Sequence, residues 1–248
     1  LGRIRVTATD TDKIRNASAG AGQGYILRTE ELCRNFTMGR EVVRAVDHVS
    51  IAILERRLTI LRGRSGSGKT TLMNLIGTLD RPDEGLIYFG DSEISNASES
   101  ERDEIRRGNM GFVFQSIALI SLMSAYENVD FRMRVAGFNQ REIQPRVEEC
   151  LTIVGLGKRM HHRPHELSGG EQQRVAIARA IAHRPKIIFA DEPTAELDTH
   201  TGLQVVKLFR KLVEEENLTV LMTTHDPSMM EVADHVFTME DGKIVDEQ

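Results

Sequence analysis

The residues best placed to do chemistry are Gly63, Arg64, Ser65, Gly66, Ser67, Gly68, Lys69 and Thr70. They fit G-x-x-x-x-G-K-[ST] and lie between a β-rich run, LTILR (58–62), and an apolar helical run, TLMNLIGTL. Glycines let backbone N–H groups turn inward and approach a triphosphate, and a helix N-terminus adds partial positive charge. Lys69 is then placed to neutralise the β- and γ-phosphates and the Thr70 hydroxyl to bind Mg²⁺. Farther on, Ile187-Ile188-Phe189-Ala190 is an apolar strand ending in two adjacent carboxylates, Asp191 and Glu192. In a parallel sheet the carboxyl ends of the strands face the phosphate site, so both can reach the ligand. Successive residues point differently, which lets Asp191 hold hydrated Mg²⁺ while Glu192 accepts a proton from, or orients, the attacking water. A third cluster, Leu167-Ser168-Gly169-Gly170-Glu171-Gln172, opens a helix with Ser168 as N-cap and Glu171 completing a capping box. Two glycines in a first turn cost roughly 1 kcal/mol each if interior, and close approach of a phosphate to the exposed N–H groups is the expected reason for them.

These groups need a scaffold that brings distant segments together. Short β-rich runs, LTILR (58–62), GFVF (111–114), KIIFA (186–190), TVLMTT (219–224) and HVFTM (235–239), alternate with helical patterns. That alternation predicts an α/β fold with a mostly parallel sheet. Between Ser116 and Glu166 the sequence carries charged amphipathic runs without clear strands, which predicts an inserted helical subdomain over 116–166. Residues 1–24 show neither apolar period and read as a flexible tail, so the folded domain is expected over 25–248. No internal repeat is visible, and the chain holds one copy of its unit.

Composition bounds the partners. The chain has 248 residues, 40% hydrophobic and 28% charged, enough to bury a core and too apolar for a wholly disordered segment. With 32 basic against 37 acidic residues, the net charge of -5 argues against a surface built to hold nucleic acid, and no nucleic-acid partner is expected. Cys33 and Cys150 have no paired spacing with another Cys or His, so neither a disulfide framework nor a zinc site is implied, and a reducing cytosol fits. No apolar run approaches the length of a membrane-spanning helix; Val113 to Met123 comes nearest and is interrupted by Gln115, Ser116 and Ser121. His161, His162 and His165 match no structural zinc spacing with cysteines, and the stretch Ile117–Met123 is expected to be either core or a docking surface.

LSGGEQQR resembles the signature sequence of ATP-binding-cassette (ABC) ATPases, and the family's other elements follow in order: Gln115 in GFVFQ, Asp198 in AELDTHT and His225 in TTHD. The resemblance runs from about residue 25 to the C-terminus. It implies a P-loop NTPase with a RecA-like core, an N-terminal antiparallel β subdomain and an inserted α-helical subdomain. It also implies MgATP hydrolysis, with Glu192, His225 and Gln115 as the catalytic set and Thr70, Gln115 and Asp191 around the metal. Phe36 aligns with the aromatic that stacks on adenine and joins Gly63 through Thr71 as the ATP-binding set. The signature residues Leu167 to Gln172 would reach the nucleotide of a second copy, with Asp198 near the seam, so a dimer sandwiching two ATP is implied.

SGSGKTTLMNLIGTLDRPDEG, AYENV and HELSGGEQQRVAIARAIAHRP resemble most the ATPases of lipoprotein-releasing, macrolide-exporting and antimicrobial-peptide-exporting bacterial systems. The implied partner is a transmembrane permease, the implied place the cytoplasmic face of the cell membrane. A cell-division cassette, a nucleotide-gated scaffold, an importer ATPase and a soluble ABC ATPase remain as alternatives. Arg56 stands where the family commonly has Gly before the phosphate-loop strand, and Arg62 and Arg64 flank Gly63 where apolar and Pro or Ala residues are usual; solvated side chains are expected for both flanking arginines.

Overall fold

The computed structural model describes residues 24–39 and 41–248, so the expected tail lies, except for Gly24, outside the described residues. Among the described residues the elements run β1 (Tyr25–Met38), β2 (Glu41–Val49), β3 (Ala52–Leu54), β4 (Leu58–Arg62), α1 (Lys69–Ile76), β5 (Glu84–Phe89), β6 (Ser92–Glu93), α2 (Glu99–Asn109), β7 (Met110–Val113), α3 (Ala125–Val135), α4 (Gln140–Ile153), α5 (Gly169–Ile181), β8 (Ile187–Asp191), α6 (Thr199–Glu216), β9 (Thr219–Thr224), β10 (His235–Glu240) and β11 (Lys243–Glu247). The main sheet has the order β11-β10-β4-β9-β8-β7, parallel from β10 to β7, with β11 antiparallel at the edge. An antiparallel sheet, β2-β1-β5-β6 with β3 also on β1, packs over one face.

The parallel strands are nearly continuous runs of buried residues because both faces are covered. Alternation sorts them: Ile188, Ala190, Val220 and Met222 join the core shared with α3 to α6, whereas Ile187, Phe189 and Leu221 join the core beneath the antiparallel sheet and α1. The segment expected to be helical holds α3 and α4. Each is closed at its start by a capping box, Ser124 with Glu127 and Asn139 with Glu142.

Several boundaries shift from expectation. The strand expected over 111–114 is Met110–Val113, leaving Phe114 outside it, and the one expected over 186–190 ends on Asp191 itself. Arg62 is not solvated: it is half-buried and its Nε donates to Thr238 Oγ1 at 2.8 Å, while Arg64 is exposed as expected. The run after Gln115 divides, Leu119 packing on the core and Leu122 standing 81% exposed.

Arg56 adopts φ +56° in the turn between β3 and β4, which explains why glycine suits this position. Its side chain is exposed and its N–H donates to Thr219 Oγ1 at 2.9 Å. Relief of the left-handed penalty, less the entropy glycine adds to the unfolded chain, leaves a net gain of about 0.5 kcal/mol. Arg56→Gly is therefore expected to raise the urea midpoint slightly, with Arg56→Ala giving no gain; a lower midpoint for the glycine variant would contradict this account.

Candidate active site

Strand register brings the candidate groups to one edge of the sheet. Arg62 pairs with Thr224, Asp191 with Thr223, and Val113 with Ala190, so β4, β9, β8 and β7 end side by side. The loops leaving those ends carry the glycine-rich segment, His225, Glu192 and Gln115.

Gly66 and Gly68 take φ +81° and +105°, curling the loop so that α1 starts directly at Lys69. A Cβ on Gly63 would collide with the carbonyl of Met239, and one on Gly68 with that of Ala45, whereas the space beside Gly66 is open. The first two glycines thus serve packing and the third leaves room for a ligand. Lys69 is buried, and its ammonium donates to the carbonyls of Gly63 at 2.9 Å and Arg64 at 3.0 Å. Ser67 Oγ is buried without a hydrogen-bond partner, a hydroxyl free to meet phosphate. A cavity of about 520 Å³ opens here; Ser65, Gly66, Lys69, Thr70, Thr71, Gln115 and Glu192 line it, so Gln115 reaches the site by an independent loop. Ala45, Asp241 and Gly242 close its far side, a contribution that sequence spacing does not signal.

The carboxylates are held by a residue that belongs to none of the motifs. Thr223, fully buried, donates to Asp191 Oδ1 at 2.6 Å and accepts the N–H of Glu192 at 2.8 Å. Thr70 Oγ1 also donates to Asp191 Oδ1, at 3.2 Å. Hydroxyl and carboxylate oxygens grouped in this way are the hard donors that suit Mg²⁺, so the residues present fit that ion. Glu192 takes φ +42°, a state that costs a non-glycine residue about 1 kcal/mol or more and concentrates at functional positions. Its carboxylate lies between two cations or potential cations, 3.6 Å from Lys69 Nζ and 3.3 Å from His225 Nδ1.

Other expected residues lie apart. Phe36 is partly exposed on β1, pairs across the sheet with Val43 on the cavity wall, and has the Arg34 guanidinium 4.9 Å from its ring centre. Asp198 shares a smaller cavity of about 180 Å³ with Glu192 and His225, and bonds from Thr201 hold its carboxyl below the ordinary value. The signature residues do not line the phosphate cavity of their own chain. Ser168 and Glu171 form the expected capping box, with Glu171 Oε2 accepting from the Ser168 N–H at 2.9 Å, and this bond lowers the Glu171 pKa. Leu167 is buried, and the Gln172 amide is spent on the carbonyls of Pro164 and Leu167. Gly170 has a reason inside the chain, since a Cβ there would collide with the Thr201 methyl; only Gly169 remains open, as phosphate approach requires. The phosphate explanation expected for both glycines is therefore not needed for Gly170.

Comparison with known proteins places this arrangement. The ABC transporter family pattern matches residues 46–195. An uncharacterized ABC transporter ATP-binding protein of Thermotoga maritima is 41% identical, over 88% of this chain and 93% of its own length. The lipoprotein-releasing system ATP-binding protein LolD 2 of Rhodopirellula baltica is 43% identical, over 83% of this chain and 82% of its own. Among solved structures, the dimeric post-hydrolysis state of the ATP-binding cassette MJ0796 of Methanocaldococcus jannaschii, bound to ADP and Pi, superposes with a TM-score of 0.82 at 38% identity, covering 90% of this chain and 97% of that one.

The placement of Glu192 between Lys69 and His225 separates two effects of mutation. Glu192→Gln is expected to slow turnover about 10²- to 10⁴-fold with nucleotide affinity retained, because the amide keeps the side chain's shape but cannot take a proton from water. Lys69→Ala should instead weaken ATP binding. Steady-state phosphate release and equilibrium binding of a fluorescent ATP analogue measure the two; near-normal hydrolysis in the first variant, or unchanged binding in the second, would contradict the roles given.

Proposed function

The chain belongs to the ABC transporter family and is an Mg²⁺-dependent ATP-hydrolysing subunit of that kind, and on this premise we propose that two copies close around two ATP molecules and drive a permease of the exporter branch. The observation that carries the reading is the convergence of groups following three strands, β4, β8 and β9: Glu192 lies 3.6 Å from Lys69 and 3.3 Å from His225, and Asp191 beside it accepts from Thr70 at 3.2 Å.

In the proposed reaction the loop amides and Lys69 hold the β- and γ-phosphates, and Phe36 stacks on the adenine. Glu192 takes a proton from water as its oxygen bonds the γ-phosphorus and the bond to the bridging oxygen breaks, giving ADP and phosphate. Thr70, Asp191 and Gln115 would hold Mg²⁺, which would neutralise charge on the phosphate oxygens. His225 contacts the γ-phosphate and, 3.3 Å from Glu192, keeps that carboxylate aimed. Ser168 and Gly169, exposed at the start of α5, are offered to the nucleotide of the second copy, with Asp198 near the seam. The dimeric state of the MJ0796 cassette supports this arrangement.

A groove of about 700 Å³ between α2 and α3 supports the permease assignment. Leu79, Phe114, Ile120, Phe131 and Val135 expose apolar surface along it, far more than a solvated face requires. Its charge is one-sided: Arg106, Arg107, Arg132 and Arg179 line it against Asp103, which already pairs with Arg106. Arg132 and Arg179 donate only to backbone carbonyls, and burial lowers the pKa of both. The fitting occupant is an amphipathic permease helix that brings an apolar face and a carboxylate. No described helix of this chain is long and apolar enough to cross a membrane, and the permease is what would hold it at the cytoplasmic face. The relatives named for lipoprotein-releasing and macrolide-export systems support the exporter branch.

Two measurements test the proposal. Glu192→Gln with MgATP is expected to elute at twice the monomer mass and to return to monomer with ADP; a monomer under both conditions would overturn the sandwich. Phe131→Glu, on the groove and 46% exposed, is expected to weaken permease binding at least about tenfold while basal ATPase stays within about twofold. Co-elution of the permease with this variant at the level of the unmutated chain would remove the groove from the interface.

A further inference from the structure

Cys33, Asp47 and His48 converge at an irregularity in the β1–β2 pairing. Leu32 pairs with Val49 and Arg34 with Val46, so the single residue Cys33 faces two residues, Asp47 and His48. In an uninterrupted strand consecutive side chains point to opposite faces. The bulge, with His48 at φ +53°, re-aims them, and the thiol, carboxylate and imidazole have ligand atoms within 4.8 Å of one another. We propose that these three side chains form a binding site for a thiophilic divalent cation of the zinc class, separate from the nucleotide site.

The donor set argues for that class. Sulfur, imidazole nitrogen and one carboxylate oxygen match borderline-soft zinc and exclude the all-oxygen shell that Mg²⁺ or Ca²⁺ requires. The His48 N–H donates to Cys33 Sγ at 3.3 Å, the outer-shell contact that supports a metal-bound thiolate. Cys33 is buried and the Asp47 side chain is 11% exposed, whereas His48 is 58% exposed. Two ligands are thus fixed by the sheet, the third can adjust, and water can supply a fourth. His48 Nδ1 bonds Asp47 Oδ1 at 2.7 Å, so the ring or the carboxylate must turn to admit the ion.

Lys243 and Arg44 lie 3.1 and 3.6 Å from the Asp47 carboxylate and would repel an incoming cation. Both are at least 60% exposed, and surface pairs of this kind are weak and flexible, so both can swing into solvent. Together they balance the charge of the Asp47 carboxylate, a role the metal would take over. The site is also tied to the phosphate loop: the Asp47 N–H donates to Gly242 O at 2.8 Å, and the Gly242 N–H donates to Ser67 O at 3.0 Å.

The test is titration of the nucleotide-free full chain with Co²⁺ as a spectroscopic probe, followed by competition with Zn²⁺. One equivalent of Co²⁺ is expected to give a thiolate-to-cobalt charge-transfer band that Zn²⁺ abolishes. Cys33→Ser should eliminate the band and Cys150→Ala should preserve it. His48→Asn, which keeps a residue tolerant of the left-handed backbone, should weaken Zn²⁺ binding at least about tenfold. His48 is on the surface, so this variant reports on binding even if substitution of the buried Cys33 impairs folding. Absence of the band, its survival in Cys33→Ser, or undiminished Zn²⁺ affinity in His48→Asn would overturn the site.

Discussion

Register in the parallel sheet is the constraint on which the remaining geometry depends. A one-residue slip of β8 would exchange Ile188 and Ala190 for Ile187 and Phe189 between two different cores. The helical side and the antiparallel side each accept only one set without voids or overlap. Because that packing fixes Asp191 beside Thr223 and Arg62 beside Thr224, it also fixes where the phosphate loop, the paired carboxylates and His225 leave the sheet. The proposed chemistry therefore rests on apolar side chains that never meet the ligand.

Within this frame, a few polar contacts do the fine positioning. Thr223 donates its hydroxyl proton to Asp191 while accepting the Glu192 N–H, so one buried side chain orients both carboxyl-bearing residues. The Glu192 N–H bond also offsets the cost of a left-handed backbone at a residue that carries a full side chain. The phosphate loop is supported from outside its own motif, by Met239 against Gly63 and Ala45 against Gly68, which ties it to both sheets.

The legible parts of the sequence were those whose signal is local. LTILR and TVLMTT announce buried strands at the bounds the structure gives, and the Ser168–Glu171 box is formed as its spacing predicts. The conformation of the glycine-rich loop follows from residue type and spacing. What was not legible depends on partners distant in the chain. Nothing near Thr223 indicates that it will meet Asp191, and nothing near Gly170 indicates Thr201. The 14-residue strand β1 escapes periodicity because it bends through bulges and pairs with three different strands, so no single face stays inward. The partial burial of Arg62 is hidden from the sequence for a similar reason: its partner, Thr238, lies on a strand 176 positions away.

Two surfaces that the proposal assigns to different partners are joined by short, stiff connections. Phe114 lines the arginine-rimmed groove and the next residue, Gln115, lines the phosphate cavity, so a movement of one is carried to the other through a single peptide unit. Helix α5 makes a second link. Its start presents Ser168 and Gly169, its far end places Arg179 and Ala180 in the groove, and the span between is one unbroken helix buried along Val175, Ile177 and Ala178. Packed helices shift as bodies rather than deform, because every local compression would open voids elsewhere. Closure of a second copy against Ser168 would thus be felt at Arg179, and a permease helix seated at Arg179 would in turn bias the closure, since coupling between two binding events acts equally in both directions.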